Sequence, residues 1–134
     1  MIIDEYYVFG RLMKKPQKPT DQRKRIVEIA CLPLIDSLKE KLTPIPDPHE
    51  FNHIVDIYGK WYRNQYHIYL SYKCPPDSIK DKFDSGLARI GWTGGNSYIV
   101  YSYFAHRNKW EALYENIPLD KAIERIKTGD YFSF

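Results

Sequence analysis

Cysteine is scarce: Cys31 and Cys74 are the only two in 134 residues. Two thiols do not make a disulfide framework in a chain of that length, and their spacing points to no bridge. Folding then has to rest on a hydrophobic core. Long apolar runs are also missing. No stretch reaches the roughly 18 residues that cross a bilayer. The start, Met1-Ile2-Ile3-Asp4-Glu5, has neither the basic nor the apolar region of a secretory signal. These absences set the expectation of a cytoplasmic protein with reduced thiols and no membrane association. Internal repeats and low-complexity tracts are absent as well.

Motifs that carry chemistry are equally sparse. There is no G-x-x-x-x-G-K-[ST], no G-x-G-x-x-G opening a helix and no G-x-S-x-G elbow. The histidines are His49, His53, His67 and His106. His49 and His53 have the i, i+4 spacing of a helical metal site, with Glu50 and Asp56 nearby. They follow a proline run and enter a predicted strand, so the imidazoles would not share a helical face. Cys31, beside the apolar stripe of a predicted helix, and Cys74, ahead of two prolines, read as structural. Asp81 and Asp84 sit among lysines and read as solvated. The expectation is a chain with no assigned catalytic residue, no metal and no cofactor; no motif here licenses an enzyme claim, and the sequence leaves catalytic activity open.

What is present is an ordinary globular balance, 43% hydrophobic and 28% charged. The length suits one domain covering residues 1–134. Aromatics are abundant at 16%, and 12 of them are tyrosine, a strand former with an apolar body and a polar tip. The net charge of +3 is unevenly spread. Residues 11–25 hold Arg11, Lys14, Lys15, Lys18, Arg23, Lys24 and Arg25 against Asp21 alone, while residues from 44 onward balance 11 basic with 11 acidic side chains. Such a cluster attracts phosphate or an acidic surface.

Period and punctuation predict the elements. Residues 5–10 read as a short strand or an apolar plug ending at Gly10, and 11–20, with Pro16 and Pro19, as a basic mobile loop. Residues 21–43 read as a helix capped by Thr20 or Asp21. Its apolar stripe is Ile26, Ala30, Leu34, Leu38 and Leu42, widened by Val27, Ile29 and Ile35. Pro33 should kink or split it. Pro44, Pro46 and Pro48 make 43–49 a stiff connector. The period then changes to two. Strands are predicted over 52–59, 65–73, 87–92, 97–105 and 110–115. Turns fall at Lys60–Asn64, Thr93–Asn96 and His106–Lys109, and a short helical turn falls within 74–86. Pro118 opens a closing helix that Gly129 ends. Strands joined by tight turns are antiparallel. The fold class is therefore α+β: one antiparallel meander sheet of four to five strands, with an N-terminal and a C-terminal helix packed on one face.

The other face is left open, and aromatic and basic residues converge on it. In the second meander strand Tyr66, Ile68, Leu70 and Tyr72 should face the helices. His67, Tyr69, Ser71 and Lys73 should face outward, with either Tyr101 and Tyr103 or Tyr98 and Val100 beside them. Trp61, Tyr62 and Arg63 share one turn, and Arg107 tops another. Tyr, Trp and Arg are enriched at protein–protein hot spots. Aromatic platforms beside cations also hold single-stranded nucleic acid. The first expectation is an interaction module of inhibitor, immunity or regulatory type that takes a protein partner on the aromatic face. The second is a nucleic-acid-binding domain that adds the basic segment 11–25. The sequence leaves a homo-oligomer open.

Overall fold

Residues 5–8, 11–42 and 51–134 are described by a computed structural model, with side chains from Lys14 onward in those ranges. Strands β1 (Glu5–Val8) and β2 (Arg11–Lys14) pair antiparallel as a separate two-stranded sheet. Helix α1 follows (Asp21–Lys39), then β3 (His53–Tyr62), β4 (Gln65–Lys73), β5 (Lys82–Gly94), β6 (Ser97–Phe104), β7 (Lys109–Ile117) and helix α2 (Leu119–Thr128). Strands β3 to β7 form one sheet in sequence order, each antiparallel to the next. The chain is thus α+β, as its periodicity predicts. No helix among the described residues is long and apolar enough to cross a membrane.

Local chemistry explains the turns. Arg63 and Asn64 both take positive φ, 48° and 67°, and join β3 to β4 with the shortest connection a hairpin allows. The expected turn over Lys60–Asn64 is therefore mostly strand. Gly94 and Gly95, at φ 114° and 53°, close β5 to β6. Residues 74–81 make the third connection, with the Cys74 N–H donating to the Asp81 carbonyl at 2.8 Å. No helical turn forms here, and Gly86 caps nothing. It lies in β5 opposite Tyr69, because the ring of Phe83 stacks on Tyr72 across the pair and draws residues 82–86 into the sheet.

Helix α1 starts where Thr20 accepts a hydrogen bond from the Arg23 N–H at 3.1 Å. It runs unbroken through Pro33 to Lys39, so it is not split in two. Its buried side is Val27, Cys31, Leu34, Ile35 and Leu38. Leu34 and Leu38 of the expected stripe are buried with Val27 and Ile35, but Ile26 and Ile29 face outward, and the free thiol of Cys31 fills the core position between Val27 and Leu34. The remaining core comes from one face of the sheet, including Ile57, Tyr66, Ile68, Ile90, Tyr98 and Val100, and from Leu119, Ala122 and Ile126 of α2. Phe132, just beyond α2, is buried against the same core, and Ser102 holds that segment by donating to the Tyr131 carbonyl at 2.8 Å. Lys41 donates to the Lys127 carbonyl at 3.1 Å and so serves the end of α2.

The segment 11–20 is partly a strand. Residues 15–20 have no regular structure but are fastened to the sheet: the Gln17 N–H donates to the Trp92 carbonyl at 2.7 Å and its amide to the Thr93 carbonyl at 3.2 Å. The proline-rich 43–49 and His49 lie outside the described residues, as does the side chain of Arg11.

Candidate functional site

Register decides which side chains share the face that the helices do not cover. His67 pairs with Arg89, Arg89 with Tyr101, and Tyr101 with Ala112. Tyr69 pairs with Gly86 and Tyr103 with Trp110. Directly opposed residues lie on one face, so Tyr69, His67, Arg89, Tyr101, Tyr103 and Trp110 stand on a single surface. Tyr98 and Val100 belong to the core instead. That settles the alternative the sequence leaves open.

A concave site of about 420 Å³ lies on this surface, lined by Tyr62, His67, Tyr69, Asp84, Ser85, Gly86, Arg89, Tyr103 and Trp110. Its walls are rings in mutual contact. His67 and Tyr69 are parallel within 10° at 5.6 Å, and Tyr62 and Trp110 meet the imidazole edge-on at 5.7 and 6.0 Å. Tyr103 packs on Trp110 at 5.4 Å. The Arg89 guanidinium lies over both Trp110 and Tyr101, 4.5 and 4.8 Å from the ring centres. Gly86 makes the floor. A Cβ there would sit 2.4 Å from Trp110 Cζ2, so only glycine lets the indole lie flat across β5. Gly59 plays the same part on the helix side, where a Cβ would fall 1.9 Å from the Tyr66 hydroxyl oxygen.

Polar groups are few. Asp84 stands at the rim and accepts a hydrogen bond from the Tyr58 hydroxyl at 2.7 Å, which pushes that phenol up to about 12. His67 is 6% exposed. Burial, with the Arg89 charge beside it, brings its imidazole down to about 4 against a weaker opposing hydrogen bond to the Tyr62 backbone, so the ring is neutral at pH 7. Burial also raises the Tyr69 hydroxyl. The arrangement offers flat apolar surfaces, hydroxyl groups at their ends, one carboxylate and the Arg89 guanidinium laid against Trp110. It suits holding a ring or a planar group.

The residues singled out in the sequence divide among several places. Tyr62, His67, Tyr69 and Tyr103 meet in the site. Tyr101 lies beneath Arg89, and Arg63 stacks over Tyr62 at 5.3 Å. Lys73 is exposed at the end of β4. Arg107 pairs with Glu111 and covers Phe104, away from the site. Trp61 turns to the helix side, edge-on to Tyr66 with Lys24 above it at 5.7 Å. Of the basic segment, Arg23 lies over Trp92 and donates to the Tyr98 hydroxyl at 3.2 Å, also on the helix side. Lys14, Lys15, Lys18 and Arg25 are exposed. Sequence reasoning missed Asp84, Arg89 and Trp110. Arg89 carried one signal, as the only charge between Leu87 and Trp92.

Comparison with known proteins returns no curated protein and no solved structure that matches the chain. Residues 19–134 match a family model described as "Domain of unknown function (DUF3024)", and the chain belongs to that family.

Proposed function

We propose that the protein is an interaction module whose ligand is another protein, held on the open sheet face with one of its side chains seated between Tyr69, Tyr103 and Trp110. The observation that carries this reading is the ring-walled hollow on the face the helices leave uncovered. Large, rigid, half-buried rings bind at low entropic cost, and Tyr and Trp dominate such contacts. Nucleic acid is the other occupant that stacked rings accept. It needs a track of cations along the rings; on this face Arg89 and Arg63 each lie over a ring, and Arg23 and Lys24 stand over Trp92 and Trp61 on the helix side. The reading carries a cytoplasmic setting with it, where Cys31 and Cys74 stay thiols.

A photo-crosslinking amino acid at Tyr62, on the rim of the hollow, tests the proposal. Irradiation in cells should give one discrete protein adduct, absent when the same group replaces Tyr131. An adduct to RNA or DNA, or the same adduct from both positions, contradicts it.

A further inference from the structure

Helix α1 carries a second apolar surface, on its outer side and across the sheet from the aromatic hollow. Ile26, Ile29 and Leu32 are 42%, 60% and 58% exposed. Their three-residue spacing keeps them on one stripe, which the exposed Pro33 extends. The stripe borders a groove of about 560 Å³ against edge strand β3, with Gly59 and Trp61 on its far wall. Isolated exposed aliphatics need no explanation, but an aligned set beside a groove does.

The charges at the two ends of the stripe say what covers it. Arg25 flanks the apolar residues on the N-terminal side and Asp36 on the C-terminal side, and both are exposed. Neither has an ion-pair partner among the described residues. Glu28 is exposed too but sits to the β3 side, where it lines the groove. The line Arg25, Ile29, Leu32, Asp36 is positive at one end, negative at the other and apolar between, and it complements itself when turned end for end. A twofold axis between Ile29 and Leu32 sets Ile29 opposite Leu32 of the second copy. The same axis sets Arg25 opposite Asp36. We propose that the protein self-associates as an isologous dimer, with the outer stripe of α1 packed antiparallel on that of a second copy. This interface is separate from the open-face site and leaves it accessible.

Sedimentation equilibrium tests this. The weight-average mass should climb from 16.0 kDa towards twice that value. The rise should fall between about 10 µM and about 1 mM, because an interface built on one helix pair lies at the weak end of the size range. Leu32→Asp, with circular dichroism unchanged, should remain monomeric throughout. Arg25→Asp should raise the dissociation constant about tenfold or more, and adding Asp36→Arg should bring it back to within about threefold of the original. A constant mass of 16.0 kDa up to about 1 mM overturns the proposal. So does a dimer that survives Leu32→Asp, or a double exchange that restores nothing, since only a like partner turned antiparallel compensates both changes.

Discussion

At the scale of single residues, the open face holds an imidazole that the fold keeps unprotonated. An unfolded chain takes up a proton on His67 near 6.5, whereas the native ring does so only at about 4. The unfolded state therefore binds the extra proton between those values, and the stability tied to neutral His67 is complete above 6.5 and lost as the pH falls towards 4. A proton-detected NMR titration should give a His67 midpoint at about 4, and a midpoint near 6.5 would mean that the ring is not enclosed as described. Cys31 is governed by the same physics with the opposite sign. Burial in the α1 core pushes its thiol up to about 12, so almost no thiolate is present at neutral pH. It should be inert to a thiol reagent in native protein and react at once in denaturant. Rapid native labelling of Cys31 would contradict its placement in the core. Glycine acts here through what it lacks: at position 86 the missing Cβ is what brings the Trp110 ring into the site.

At the scale of elements, α1 is the sharpest test, because two members of its expected apolar stripe, Ile26 and Ile29, face outward while Val27, Leu34, Ile35 and Leu38 are buried. Leu38 is 0% exposed, and Leu38→Ala should cost about 2–5 kcal/mol in chemical denaturation. Ile29→Ala, measured at low protein concentration, should cost no more than about 0.5 kcal/mol. Equal losses would return Ile29 to the buried side, as the expected stripe has it. That stripe misleads because aliphatic residues line both sides of the helix, and the period alone does not say which set is covered. Treating Cys31 as a small hydrophobe would have tipped the balance. Strands β4 and β6 are legible because their alternation is uninterrupted and their turns carry Asn or Gly; β7 is legible from its turn and its aromatic content although its register against β6 shifts twice. The first half of β5 is not. Its register shifts between Ile68 and Tyr69 of β4 and leaves Leu87 as the extra residue, so the period of two breaks where a reader would look for it. Strand β2 is hidden for another reason: four residues of a small hairpin give too short a window beside two prolines.

At the scale of the molecule, the layout of helices on one face and rings on the other follows from strand order and alternation, and both are readable. The composition of the site is only half readable. His67 and Tyr69 share a strand, so their common face is a local property. Asp84, Arg89 and Trp110 join them through register across β4, β5, β6 and β7, which no single strand records. The charge pattern groups the basic segment as one patch, yet Arg23 and Lys24 pack on indoles of the helix side, while Lys14, Lys15, Lys18 and Arg25 are exposed. The central claim is that the open face binds through its rings. The most direct measurement is the affinity of the partner trapped at Tyr62 for wild type and for Tyr69→Ala, each at low and at high salt. Loss of the Tyr69 ring should weaken binding by about 1–3 kcal/mol while unfolding stays cooperative, and salt should change the affinity little. Unaltered affinity in Tyr69→Ala would contradict the claim. An affinity that falls steeply with salt, together with binding of single-stranded DNA or RNA, would assign the face to nucleic acid instead.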